Sequence, residues 1–220
     1  MRHLLLTVCL LLPTLLPAAT YHVSQKAPAA ADTNAGTAEA PLLTIAAALK
    51  KLQPGDRVTI HAGVYREFLE FKAKATDWTE PTVVAAAPGE EVVIKGSDVV
   101  TGWQKHEGQI WKKPAWQVNS QLVFANGGNL QQIAGEMVKY LTEGNRWLGR
   151  VGESIKDMKA GSFYYDLKDK VLYVWLKDGA DPNAQTIEVG VRPFLLRTES
   201  DYLIIKGLKM THSSTGNYIN

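Results

Sequence analysis

The chain has 220 residues, 45% of them hydrophobic and 21% charged, with a formal net charge of +2. So small an excess of positive charge argues against nucleic acid or an anionic membrane surface as a partner. Cys9 is the one cysteine, which excludes an intrachain disulfide framework and a cysteine-rich metal site.

Residues 1–19 read as a secretory signal peptide. Arg2 and His3 give a short basic start, residues 4–16 form an apolar run, and Pro17, Ala18 and Ala19 suit cleavage. The run is shorter than the about 20 apolar residues a membrane-spanning helix needs. A lipoprotein anchor is the rival reading, but Cys9 lies inside the run behind Thr7 and Val8 rather than at a cleavage site. Cleavage is expected near Ala19, which removes Cys9 and Arg2 and predicts a secreted or periplasmic protein with no membrane contact afterwards.

Residues 20–98 open with a short strand, Tyr21-His22-Val23-Ser24, and a loop rich in Ala, Pro, Gly and Asn. One amphipathic helix follows. Thr44 is placed to cap it, and Ile45, Ala48, Leu49 and Leu52 share one face before Pro54-Gly55 ends it. Short apolar runs then alternate with corners: Arg57 to His61 before Ala62-Gly63, Phe68 to Phe71, Thr82 to Ala87 before Pro88-Gly89, and Glu91 to Lys95 before Gly96. No helices separate them, so a doubly wound sheet is excluded, and a sandwich, a barrel or a solenoid fits. Two features favour the solenoid. Val92-Val93-Ile94-Lys95-Gly96 and Leu203-Ile204-Ile205-Lys206-Gly207 are near copies, which predicts equivalent rungs. A lone helix ahead of the strands also suits the capping of an open core.

Residues 99–198 differ in character and read as a β-rich insertion, holding Trp103, Trp111, Trp116, Trp147 and Trp175. Ser162 to Asp166 and Val171 to Leu176 flank a polar turn and predict an antiparallel hairpin, with a further strand from Thr186 to Val191. Residues 199–220 return to the rung pattern, and Thr215 to Asn220 read as the opening of another rung.

Taken together, Tyr21-His22-Val23-Ser24, Gly36-Thr37, Thr44-Ile45, Pro54-Gly55-Asp56 and Ala62-Gly63-Val64-Tyr65-Arg66-Glu67 resemble the N-terminus of pectin-lyase-like β-helix proteins. The resemblance implies an all-β fold, a right-handed parallel β-helix with an N-terminal cap helix and the insertion on its side. It also implies a carbohydrate-active protein that degrades a polysaccharide by hydrolysis or β-elimination. The catalytic rungs of such proteins lie later than this sequence reaches, so the expectation is an N-terminal fragment with no catalytic residue of its own. Ca2+ enters as a cofactor through the resemblance alone. The alternative is a non-catalytic glycan-binding or surface β-helix protein. In either case the partner is a polysaccharide or oligosaccharide, and nothing in the sequence sets the oligomeric state.

Site residues are weighed against plainer roles. Of the acids Asp56, Glu67, Glu70, Glu90, Glu91 and Asp98, no three form a metal-ligand pattern, so no metal site is assigned. Glycoside hydrolysis needs two carboxyls about 5–9.5 Å apart, and the spacing of these acids nominates no pair. Asp56 reads as a turn former, Arg66-Glu67 as an ion pair or rung-edge contact, and Lys95 and Lys206 as structural corners. Tyr164, Tyr173 and Trp175 read as cross-strand partners. Trp111 and Trp147, in irregular polar sequence, and His212, on the last complete rung, are the candidate sugar contacts.

Overall fold

A computed structural model describes residues 18–72, 75, 77–135 and 151–214. The first part comprises β1 (Thr20–Val23), α1 (Ile45–Leu49), β2 (Arg57–Ile60), β3 (Gly63–Tyr65), β4 (Leu69–Phe71), β5 (Thr82–Ala86) and β6 (Val92–Lys95). The middle part carries β7 (Ser97–Val99), β8 (Gln104–Lys105), β9 (Trp111–Lys113), β10 (Val123–Ala125), β11 (Gly128–Asn129) and β12 (Gln131–Ile133). It continues with β13 (Ser162–Asp166), β14 (Val171–Trp175) and β15 (Ile187–Gly190). The last part holds β16 (Leu196–Thr198), β17 (Leu203–Lys206) and β18 (Leu208–Thr211). The protein is all-β, with a single α-helix among the described residues.

Outside residues 97–190 every strand pairing is parallel. The sheets run β1-β2-β5-β17, β3-β6-β18 and β4-β16, so strands from successive parts of the chain stack in chain order. Alternation along each short strand sends one set of side chains inward. Val23, Val58, Ile60, Tyr65, Leu69, Val84 and Ile94 make the core they share.

The near-copy segments do not stack on one another. Leu203–Lys206 lies on Thr82–Ala86, whereas Val92–Lys95 pairs with Leu208–Thr211 in a different sheet. Both segments are two-faced strands closed by glycine, and that pattern serves either parallel sheet. The corner separates the sheets: Gly207 alone, at φ +75°, joins β17 to β18, while Ala87 to Glu91 join β5 to β6.

The helix is shorter than its apolar period suggests. Lys51 N–H bonds to Ala48 O, tightening the last turn, and Asp56 takes Gln53 N–H at 2.8 Å to start the corner. Ile45, Ala48 and Leu49 are buried against the core. At the other end Thr44 accepts from Ala47 N–H, while the Glu67 carboxylate accepts from Ile45 and Ala46 N–H. These are the amides an α-helix leaves without internal partners.

Residues 97–190 are mainly antiparallel. The predicted hairpin is present, with Tyr164 opposite Tyr173 and their rings stacked 6.0 Å apart. The strand near residue 187 joins β10 and β7 rather than the hairpin. Trp103, Val123, Phe163, Leu172, Val174, Ile187 and Val189 form a second core.

Candidate functional site

Alternation along β15 turns Ile187 and Val189 into the second core and leaves Glu188 on the opposite face. That face is not open to solvent, because it lies against the parallel strands. The Glu188 side chain is only 5% exposed. A carboxylate in such a place is costly unless it is paired and hydrogen-bonded. Lys95, the last residue of β6, reaches its two oxygens at 3.0 and 2.9 Å. Arg66, just past β3, places Nη2 2.6 Å from Oε1. Burial pushes the Glu188 carboxyl up, but the hydrogen bonds and charges of Lys95 and Arg66 outweigh it and hold the group below the usual carboxylate range.

Ser97 and His212 complete the cluster. Ser97 Oγ lies 3.1 Å from His212 Nδ1, 3.3 Å from Arg66 Nη1 and 3.5 Å from Glu188 Oε1. Its hydroxyl is fully satisfied when it accepts from Arg66 and His212 and donates to Glu188. That assignment puts the imidazole proton on Nδ1 and leaves the lone pair on Nε2. His212 follows β18, the edge strand of its sheet, with φ +60°, and stacks on Phe124 at 3.7 Å between ring centroids. Burial, then the Lys95 charge, lowers its pKa, with Glu188 opposing and Arg66 adding to the fall. The imidazole is therefore held neutral.

The set is not a nucleophilic triad. Ser97 is fully buried, and Ser97 and Glu188 both approach the same ring nitrogen. Glu188, held as a carboxylate by two cations, cannot serve as a proton donor. The cluster can lock residues 97–190 to the parallel strands and present a neutral imidazole beside the edge of β18.

His212 thus lies in this cluster. Trp111 belongs to a different sheet, in β9, where the Lys105 ammonium sits 4.7 Å from its ring centroid and its Nε1 is buried without a hydrogen-bond partner among the described residues. Trp147 lies outside the described residues. Glu188 and the cluster it organises are new from the structure, as is Trp78, 64% exposed with Tyr202 edge-on to it. Asp56 organises its corner, accepting Ala19 N–H as well as Gln53 N–H. Glu90 accepts from Ala62 N–H and lies 2.9 Å from His61 Nδ1, whose Nε2 is 3.2 Å from His22 Nδ1. Among the described residues no group of three or more His, Cys, Asp or Glu side chains fits a metal ion, so no step through calcium is derived.

No protein-family model matches the chain, and no curated protein matches it. Two solved structures do. XylC, in a complex with xylose, aligns over 89% of this chain and 36% of its own, with a TM-score of 0.69 and 26% identity. A glycoside hydrolase aligns over 90% of this chain and 51% of its own, with a TM-score of 0.64 and 13% identity, a likeness of fold alone. The chain therefore spans between about a third and a half of the length of the proteins it is similar to.

Proposed function

We propose that this chain is the N-terminal part of an exported carbohydrate-active protein that degrades a polysaccharide by hydrolysis or β-elimination. In this reading the parallel stacks are the first coils of a right-handed parallel β-helix of the pectin-lyase-like type. Residues 20–98 form its cap and first coils, residues 99–198 are a side insertion, and residues 199–220 resume the coil. The observation that carries the reading is the alignment with XylC, captured with xylose, over 89% of this chain. The reacting groups lie on coils that would add to β17 and β18, each paired on one side among the described residues. The commitment of Glu188 to Lys95 and Arg66 supports placing them there.

Trp111, Trp147 and His212 are the proposed sugar contacts, with Lys105 moving aside from the Trp111 ring on binding. Retention in a glycan-containing gel tests this: Trp111→Ala should migrate faster than the parent, and unchanged retention of a folded variant would make Trp111 structural. Export is checked by the intact mass of protein recovered from the periplasm or medium, expected to lack residues up to about Ala19. A full-length mass would contradict the signal peptide.

The other reading is a non-catalytic glycan binder, which the alignment with XylC, captured with xylose, fits equally. It predicts glycan retention without turnover even from a protein carrying all its coils.

A further inference from the structure

Two adjoining hollows of about 420 and 190 Å³, both lined by Leu130 and Lys177, make a groove among residues 121–185. Its larger part is lined by the carboxamides of Gln121, ahead of β10, and of Asn129, Gln131 and Gln132, on β11 and β12. The smaller part adds Asn126 and Gln185.

Most of these amides are held by hydrogen bonds. Gln132 Nε2 donates to Gln121 Oε1 at 3.0 Å, and Gln121 Nε2 donates to Asn119 Oδ1 at 2.7 Å. Gln131 Nε2 donates to Gln132 O at 3.1 Å, and Asn126 Nδ2 donates to Gln185 Oε1. Side chains fixed in this way lose little freedom when a ligand arrives. Their donors and acceptors are not exhausted, since each carboxamide offers two N–H groups and two lone pairs. Asn129 is exposed, and its side chain carries no hydrogen bond among the described residues. Gly161 shapes the groove: with φ +82°, it lets the Lys177 stem lie where a Cβ would sit 2.8 Å from Cγ.

Charge is balanced, with Lys177 and Asp178 the ionisable groups lining the two hollows. A row of mixed donors and acceptors without net charge suits a ligand of the same kind. Alternating hydroxyls, each both donor and acceptor, fit it, whereas the carboxylates of an acidic glycan find one lysine opposed by one aspartate.

We infer that this groove binds a neutral, hydroxyl-rich oligosaccharide, holding the chain on the insertion apart from any reacting centre. The inference rests on the carbohydrate-active reading and narrows it to neutral glycans at this surface.

The test titrates the full chain with a neutral xylo-oligosaccharide and, separately, with an oligogalacturonate, following the side-chain amide signals by NMR. The neutral sugar should shift the Gln121 and Gln132 NH2 signals. The double variant Asn129→Ala/Gln131→Ala removes exposed amides and keeps the backbone pairing, and should bind about tenfold more weakly. Gln131→Glu, close in shape but charged, should also weaken neutral binding and serves if the double variant misfolds. Absence of neutral binding, a preference for the acidic oligomer, or wild-type affinity in folded variants would each overturn the inference. None of these touches turnover by a protein with further coils, so that reading can stand while the groove falls. Absence of turnover with intact neutral binding would do the reverse.

Discussion

The Lys95 ammonium lies 2.9 Å from the Glu188 carboxylate, across 93 residues of sequence. This contact joins the end of the parallel strand β6 to the antiparallel strand β15, and Arg66, just past β3, closes the same carboxylate. Residues 97–190 are thereby fixed to the parallel strands by charge as well as by chain connectivity.

Glu188→Gln should cost about 2–4 kcal/mol, because it leaves two half-buried cations without their counter-charge. Urea unfolding at neutral pH checks this, and an unchanged midpoint would show the pairing to be dispensable.

His212 gives a pH dependence of definite sign. Its folded pKa lies below the ordinary 6.5, so the unfolded chain takes up the proton first as pH falls. The contribution is intact above about pH 6.5 and is lost on acidification towards the folded pKa, with a slope of at most about 1.4 kcal/mol per pH unit. His212→Asn keeps an N–H for Ser97 and cannot titrate. It should lose less stability than the parent between pH 7.5 and 5.5, and equal losses would contradict the neutral imidazole.

Tyr65 is fully buried, and its hydroxyl donates to His61 O at 2.8 Å. Burial raises its pKa to about 12, with the backbone near Gln25 opposing and Glu67 and Glu90 adding. Stability is full below about pH 10 and falls as pH rises through the folded value. Tyr65→Phe should cost about 1 kcal/mol at pH 7 and flatten the alkaline loss. A variant as sensitive to alkali as the parent would contradict this assignment.

The helix α1 supplies the fourth test. Glu67→Ala removes the acceptor for Ile45 and Ala46 N–H and should lower stability by about 1 kcal/mol. Leu49→Asp puts a charge into the buried face and should cause aggregation, read by light scattering. A soluble, folded Leu49→Asp protein would refute the capping role.

Several elements were legible because their signals are local. Thr44 before the Ile45, Ala48, Leu49 face located the helix, and the polar turn between Asp166 and Val171 located the hairpin. The stacking order was not legible, since Val92–Lys95 and Leu203–Lys206 share a pattern that suits either of the parallel sheets they join. Glu188 escaped for a related reason. Between Ile187 and Val189 it reads as the solvent face of a strand, and only tertiary docking turns that face inward. Glu67 read as an ion pair or edge contact, but it serves the helix amides more than 20 residues earlier.

We propose that this chain is the front of a carbohydrate-degrading protein whose reacting groups lie on later coils. The most direct test is product release from neutral and acidic polysaccharides, by the protein of the complete reading frame and by residues 1–220 alone. The account predicts turnover by the former and none by the latter. Reproducible turnover by residues 1–220 alone, or a complete protein that binds glycan without cleaving it, would contradict it.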